Sequence, residues 1–244
     1  MRYINDYISE RLQLGKHLVE KPEHVSYAYH PKTRLALKRL INKRINQNQN
    51  QKTIDLNDID TSAIDDMSML FKDMYFDNID ISKWDVSNVK TMQGMFEECR
   101  FTKSVGDLSN WNTQNVELFS SMFFDCNHLE YIGDLSDWDV SNCKKFSDMF
   151  YNCSRLNTIG DLSDWNVKRA TNLSNMFSWT GLTSIGDISS WNVSNVKSIM
   201  FMFDYSTKLK TVGDLNLWKV KSSILTYDAF NKTNIKPLPS WYKQ

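Results

Sequence analysis

The chain has 244 residues, a mean hydropathy of −0.49 and equal numbers of basic and acidic residues, 29 of each. That balance excludes a chain basic or acidic throughout, and no stretch approaches the ~18 apolar residues of a membrane-spanning helix. The charge is uneven all the same: residues 1–52 hold 11 Lys and Arg against 4 Asp and Glu, and residues 53–244 hold 18 against 25. Such asymmetry fits either an anionic partner for the basic end or a solvated basic helix lying against an acidic body.

Residues 1–52 are expected to form a basic helical N-terminal cap and linker. The opening Met1-Arg2-Tyr3-Ile4 lacks the apolar run and small-residue cleavage site of a signal peptide, so the chain is expected to be cytoplasmic as synthesised. Ile4, Tyr7, Ile8 and Leu12 predict a short amphipathic helix ending near Gly15. Pro31 suits a helix start. Leu35, Leu37, Leu40, Ile41 and Ile45 then give a helical apolar face with Lys38, Arg39, Lys43 and Arg44 between them. The Asn/Gln run from Asn46 to Gln51 carries one Gln-Asn alternation and no apolar residue, and reads as a loop.

From Thr53 the chain repeats. Tryptophans fall at Trp84, Trp111, Trp138, Trp165, Trp191 and Trp218, at intervals of 27, 27, 27, 26 and 27 residues. Each is followed twelve residues later by a phenylalanine: Phe96, Phe123, Phe150, Phe177, Phe203 and Phe230. Ile59 and Phe71 keep that spacing without the tryptophan. A fixed period in this range predicts stacked units, each contacting mainly its neighbours. Residues 53–230 are therefore expected to form a solenoid of about six to seven units. Residues 231–244 form a C-terminal cap in which Pro237, Leu238 and Trp241 fold over the end.

Within a unit, Trp138 and Val140 are two apart and predict one face of a strand, with Asp139 and Ser141 on the other. Phe146, Met149 and Phe150 have the spacing of a short helix face. Gly160-Asp161 and its equivalents predict the turn into the next unit, where glycine permits a positive φ and aspartate bonds nearby backbone N–H groups.

The spacing Leu135-x-x-Trp138-x-Val140-x-x-Cys143 resembles the strand segment of a leucine-rich repeat. Met149-Phe150-x-x-Cys153-x-x-Leu156-x-x-Ile159 and the Trp84-to-Val89 run are similar to the BspA-like leucine-rich repeats, a surface-protein group. The likeness covers about residues 53–230. It implies an α/β leucine-rich-repeat solenoid, a right-handed strand–helix superhelix with a parallel sheet on one face and a helical N-terminal cap. It also implies a non-enzymatic binding module. Tyr3 to Glu10 and Tyr29 to Thr33 resemble the openings of phage-encoded members, which implies a virion component. A bacterial adhesin-type surface module is the first alternative, and nucleic-acid binding through the basic cap is the second.

No phosphate-binding loop, dinucleotide fingerprint, nucleophile elbow or zinc-protease helix is present, and no enzyme is expected. His128 is the one histidine within the repeats. Cys99, Cys126 and Cys153 share one repeat position and read as small buried thiols rather than disulfides or metal ligands. The column Asp80, Asp107, Asp134, Asp161, Asp187 and Asp214 reads as turn caps, with calcium ligation as the alternative. No cofactor is implied. The tryptophans and the repeated methionines read as core.

The binding candidates are the outward strand residues. The position after each tryptophan supplies Asp85, Asn112, Asp139, Asn166 and Asn192. The position two further on supplies Ser87, Gln114, Ser141, Lys168 and Ser194. Together they form a flat, polar, two-column surface suited to a protein or glycan partner more than to a small molecule. The sequence sets no oligomeric state.

Overall fold

The computed structural model describes residues 26–243. The amphipathic stretch expected between Ile4 and Gly15 lies outside them. One α-helix, α1, spans Arg34–Gln47. Thr33 caps it, its Oγ1 accepting from Ala36 N–H at 3.2 Å, and Pro31 precedes the cap rather than opening the helix. Leu37, Ile41 and Ile45 are buried, while Leu35, expected on the same face, stays 59% exposed.

The expected α/β leucine-rich-repeat solenoid is not what forms, because the units contain neither a continuous strand nor a helix. Among the described residues there is one sheet, of two parallel two-residue strands, β1 (Ile54–Asp55) and β2 (Ile79–Asp80). Two three-residue 3-10 helices, at Ile188–Ser190 and Leu215–Leu217, complete the regular structure. Turns and irregular chain make up the rest.

The correction has a physical reason in the segment from Phe146 to Cys153. Its N–H groups take two destinations in alternation. Phe146, Asp148, Phe150 and Asn152 donate to the next unit, at Asn172, Ser174, Met176 and Ser178 carbonyls. Met149, Tyr151 and Cys153 donate three residues back, to Phe146, Asp148 and Phe150. Bonds from residue i+3 to residue i are β-turns, and they put Phe146, Met149 and Phe150 on one side as a helix would. Asp148 and Asn152, each third in its turn, have φ of 61° and 53°, the requirement of a type II turn. The pair recurs at Ser121 and Asp125, Asn175 and Trp179, and Phe201 and Tyr205. Non-glycine residues reach this region at a cost of about 1–2 kcal/mol each, here offset by the bonds to the neighbouring unit.

Successive units meet in register through single parallel bridges. One series runs Asp66, Thr91, Leu118, Lys145, Asn172, Ser198 and Leu225. These residues lie seven positions after the tryptophan, away from the segment expected as strand. The core is one continuous column. Phe71, Phe96, Phe123, Phe150, Phe177, Phe203 and Phe230 stack ring on ring, with centroids 5.0 to 5.9 Å apart. Offset stacking at such distances adds about 0.5–1.5 kcal/mol per pair to the burial of each ring.

Both ends are covered. Arg34 Nη1 donates to Ser68 O at 2.6 Å and Lys38 Nζ to Met69 O at 2.5 Å, and Arg44 Nη1 pairs with Asp58 Oδ2 at 2.7 Å. At the other end Trp241 stacks on Trp218 and donates its Nε1–H to Leu215 O at 2.7 Å.

Candidate recognition face

Each unit is anchored by its tryptophan. Trp138 is 2% exposed and donates its Nε1–H to Leu108 O in the preceding unit at 2.9 Å. Trp84, Trp165, Trp191 and Trp218 repeat this bond at 2.8 to 2.9 Å, and Trp111 makes it at 3.4 Å. A leucine fills similar space but lacks this bond between units, leaving Leu108 O with the Trp111 N–H alone, and a hydrogen bond of this kind contributes about 0.5–1.5 kcal/mol. The indole therefore packs and pairs at once.

The residue after each tryptophan closes a turn. Asp85, Asn112, Asp139, Asn166 and Asn192 each accept, through Oδ1, the N–H two residues on, which belongs to Ser87, Gln114, Ser141, Lys168 and Ser194. Thus all ten expected site residues occupy turns, not a strand face. Asn112, Gln114, Asp139, Asn166, Lys168 and Asn192 are exposed, and Asp85, Ser87, Ser141 and Ser194 are half-buried.

The units hold these turns side by side. Asn115 Nδ2 donates to Ser87 O at 2.7 Å, Asn142 Nδ2 to Gln114 O at 2.8 Å and Asn195 Nδ2 to Lys168 O at 2.9 Å. These asparagines were not among the candidates, although their periodic spacing after the tryptophans was visible. They tie the second column together on either side of a gap between Ser141 and Lys168, where Arg169 stands at the asparagine position and donates to Asn142 Oδ1 instead.

The Asp column also caps turns. Asp80, Asp107, Asp134, Asp161, Asp187 and Asp214 each accept, through Oδ1, the N–H two residues on, at 2.9 to 3.0 Å. The Ser189 hydroxyl and N–H hold the Asp187 carboxyl below its ordinary range. Among the described residues no group of three or more His, Cys, Asp or Glu is placed to hold a metal ion.

The four cysteines are free and buried. Cys99, Cys126 and Cys153 donate to Phe71, Phe96 and Phe123 carbonyls at 3.0 to 3.1 Å. Burial pushes the Cys99 thiol up to about 12 and raises Cys126 well above its ordinary value. Neutral thiols of this kind are poor nucleophiles. His128 lies against Phe101, centroids 6.0 Å apart, and its Nδ1 is 2.8 Å from Asn127 Oδ1.

Electrostatics divide the repeats in a way the sequence reading missed. Residues 53–164 hold 21 Asp and Glu against 8 Lys and Arg, and residues 165–244 hold 4 against 10. The ion pairs among the described residues all fall between His30 and Arg155, several of them linking adjacent units. Counting charge unit by unit, rather than over the whole of residues 53–244, reveals this reversal.

The family model described as "Mycoplasma protein of unknown function, DUF285" matches residues 40–158 and 130–241. The chain belongs to this family. The match supports a repeat-type surface-protein family, and the BspA-like leucine-rich repeat is not confirmed by it. No curated protein and no solved structure matches the chain. Among the described residues, no helix is long and apolar enough to cross a membrane.

Proposed function

We propose that the chain is a non-enzymatic recognition protein that engages another protein or a glycan through the paired turn columns from Asp85 to Ser194. The observation that carries this reading is the contiguous row itself. Five units present exposed or half-exposed polar side chains at two repeat positions, fixed by turn bonds and by the Asn115, Asn142, Arg169 and Asn195 bridges. Groups already held in place lose little side-chain freedom on binding, which favours recognition over a wide, shallow surface. A bacterial adhesin-type surface module is the context we favour, on the match to a repeat-type surface-protein family alone. The virion context rests on the short N-terminal likeness alone.

The test is capture of partners from cell-surface extracts and immobilised glycans by wild-type protein and by an exchange variant, Asn112→Asp, Asp139→Asn and Asn166→Asp. Both Asx types keep the Oδ1 turn cap, so the exchange alters only the outward atom and the charge. Loss of capture at unchanged melting temperature is expected. Equal capture by the two proteins removes the turn columns as the recognition face.

A further inference from the structure

We infer that the C-terminal end of this face carries a cleft for an anionic polysaccharide, one bearing sulfate or carboxylate groups. This rests on the recognition reading above and assigns a ligand class to one part of that surface.

The cleft encloses about 770 Å³ and is lined by Lys144, Arg169, Lys197 and Lys221, with no acidic residue in its walls. Lys144 pairs with Glu117 Oε2 at 2.5 Å, and the Arg169 charge also reaches Glu117. Arg169 donates Nη1–H to Asn142 Oδ1 at 2.7 Å, and among the described residues neither it nor Lys197 nor Lys221 forms an ion pair. Arg169, Lys197 and Lys221 therefore line the cleft with cationic donors to which an anion can bond.

The backbone sets the arrangement. Thr171 N–H donates to Lys144 O at 2.8 Å, Lys197 N–H to Thr171 O at 2.9 Å and Leu225 N–H to Lys197 O at 3.0 Å. Four successive units thus deliver their side chains to one groove. The cleft coincides with a break in the repeat. Val196 N–H returns to Val193 O, five residues after Trp191, whereas Ile224 N–H returns to Lys221 O, six residues after Trp218. The turn is thus shifted by one residue without an insertion, since Ser198 and Leu225 still bridge seven residues after their tryptophans, and Lys221 and Ser223 line the cleft wall.

The remaining lining selects among polyanions. Thr171, Asn195 and Ser223 offer hydroxyl and amide groups, and the apolar contribution comes from Val196 and Leu225. No aromatic ring faces the groove, so the stacking platform on which single-stranded nucleic acid depends is missing from it. An array of cations among hydroxyl and amide groups matches a chain of hydroxyl-bearing rings with regularly placed anions. Arg169 adds a planar fork suited to sulfate or carboxylate.

The test titrates full-length protein with fluorescent dextran sulfate and with polygalacturonate, against neutral dextran and an oligothymidylate. The triple variant Arg169→Gln, Lys197→Gln and Lys221→Gln is compared with a control, Lys103→Gln and Arg155→Gln, whose cations are already ion-paired. The sulfated or the carboxylated polymer is expected to bind wild type and control alike, and the triple variant at least about tenfold more weakly. Neutral dextran is expected not to bind. The two polymers separate sulfate from carboxylate recognition. Equal binding by the triple variant overturns the cleft, as does tighter, cleft-dependent binding of oligothymidylate, which makes nucleic acid the ligand. Binding that survives the triple variant but is lost in the Asn112, Asp139 and Asn166 exchange variant sinks the cleft and leaves the recognition face standing. Polysaccharide binding that neither set of changes alters counts against both.

Discussion

Residues 53–164 and residues 165–244 share one core and carry opposite surfaces. In both, a tryptophan donates to the preceding unit and a phenylalanine joins the ring column. In the first, 21 acidic residues face 8 basic ones and ion pairs connect units, whereas in the second 4 face 10 and no ion pair is formed among the described residues. Core positions and outward positions are therefore independent here. The repeat preserves the interior while leaving the exterior free to specialise, as expected when each unit contacts mainly its neighbours. Most cations of the acidic half are ion-paired, whereas those of the basic half are not, among the described residues.

The junction between the halves is the unit that runs 26 residues from Trp165 to Trp191. Where the preceding unit has Ser154 and Arg155 between Cys153 and Leu156, this one has Gly181 alone between Thr180 and Leu182. The shortened turn cuts inward. A Cβ on Gly181 would lie 2.4 Å from Ser154 O and 2.9 Å from Leu156 O. Glycine is needed for space at this point, not for a left-handed backbone.

The comparison breaks first at the core. Trp138→Ala and Trp191→Ala are each expected to lower unfolding free energy by about 3–5 kcal/mol, through the cavity left and the lost indole bond to the preceding unit, in urea titrations. If Trp191→Ala costs far less, the halves do not share one core. Next, Gly181→Ala is expected to cost about 1–3 kcal/mol through overpacking against backbone oxygens that have little room to move. An unchanged melting temperature shows that the junction relaxes freely. The smallest effect sharpens the surface difference. Arg155→Gln loses its pairing with Glu130 at 3.7 Å and is expected to lower the melting temperature slightly at low salt, an effect that fades at high salt. Lys197→Gln has no ion pair to lose and is expected not to lower it at either salt.

Much of the interior was legible. Trp138, Val140, Met149 and Phe150 read as core, and all are buried. The turn-capping role of Asp134 and Asp161 followed from aspartate beside glycine, and both side chains accept the expected N–H. The backbone was not legible. Trp138-x-Val140 alternates as a strand does, and Phe146 to Phe150 is spaced as a helix is, yet the first is irregular chain between two turns and the second is a run of turns. Two side chains on one side of a short turn give the same local pattern as two on a strand or helix, so periodicity over so few residues cannot separate them. Met69, Trp179, Phe201 and Tyr205 adopt positive φ without being glycine, asparagine or aspartate, so composition concealed the turns further. The candidate site suffered by inheritance: its ten residues were chosen as a sheet face and proved to be a row of capped turns. The basic cleft was missed because Lys144, Arg169, Lys197 and Lys221 do not share one repeat position.

The sequence by itself determined the period, the units' shared anchors and the separation of buried from outward positions, because burial acts on each residue's type at every repeat. The tertiary structure decided where each N–H goes. A turn here is completed by a carbonyl 24 to 28 residues away, as when Phe150 donates to Met176, and that partner exists only once the next unit has stacked. Local spacing is silent about such bonds. For the same reason only the stacked units show that cations from four different turns line one cleft.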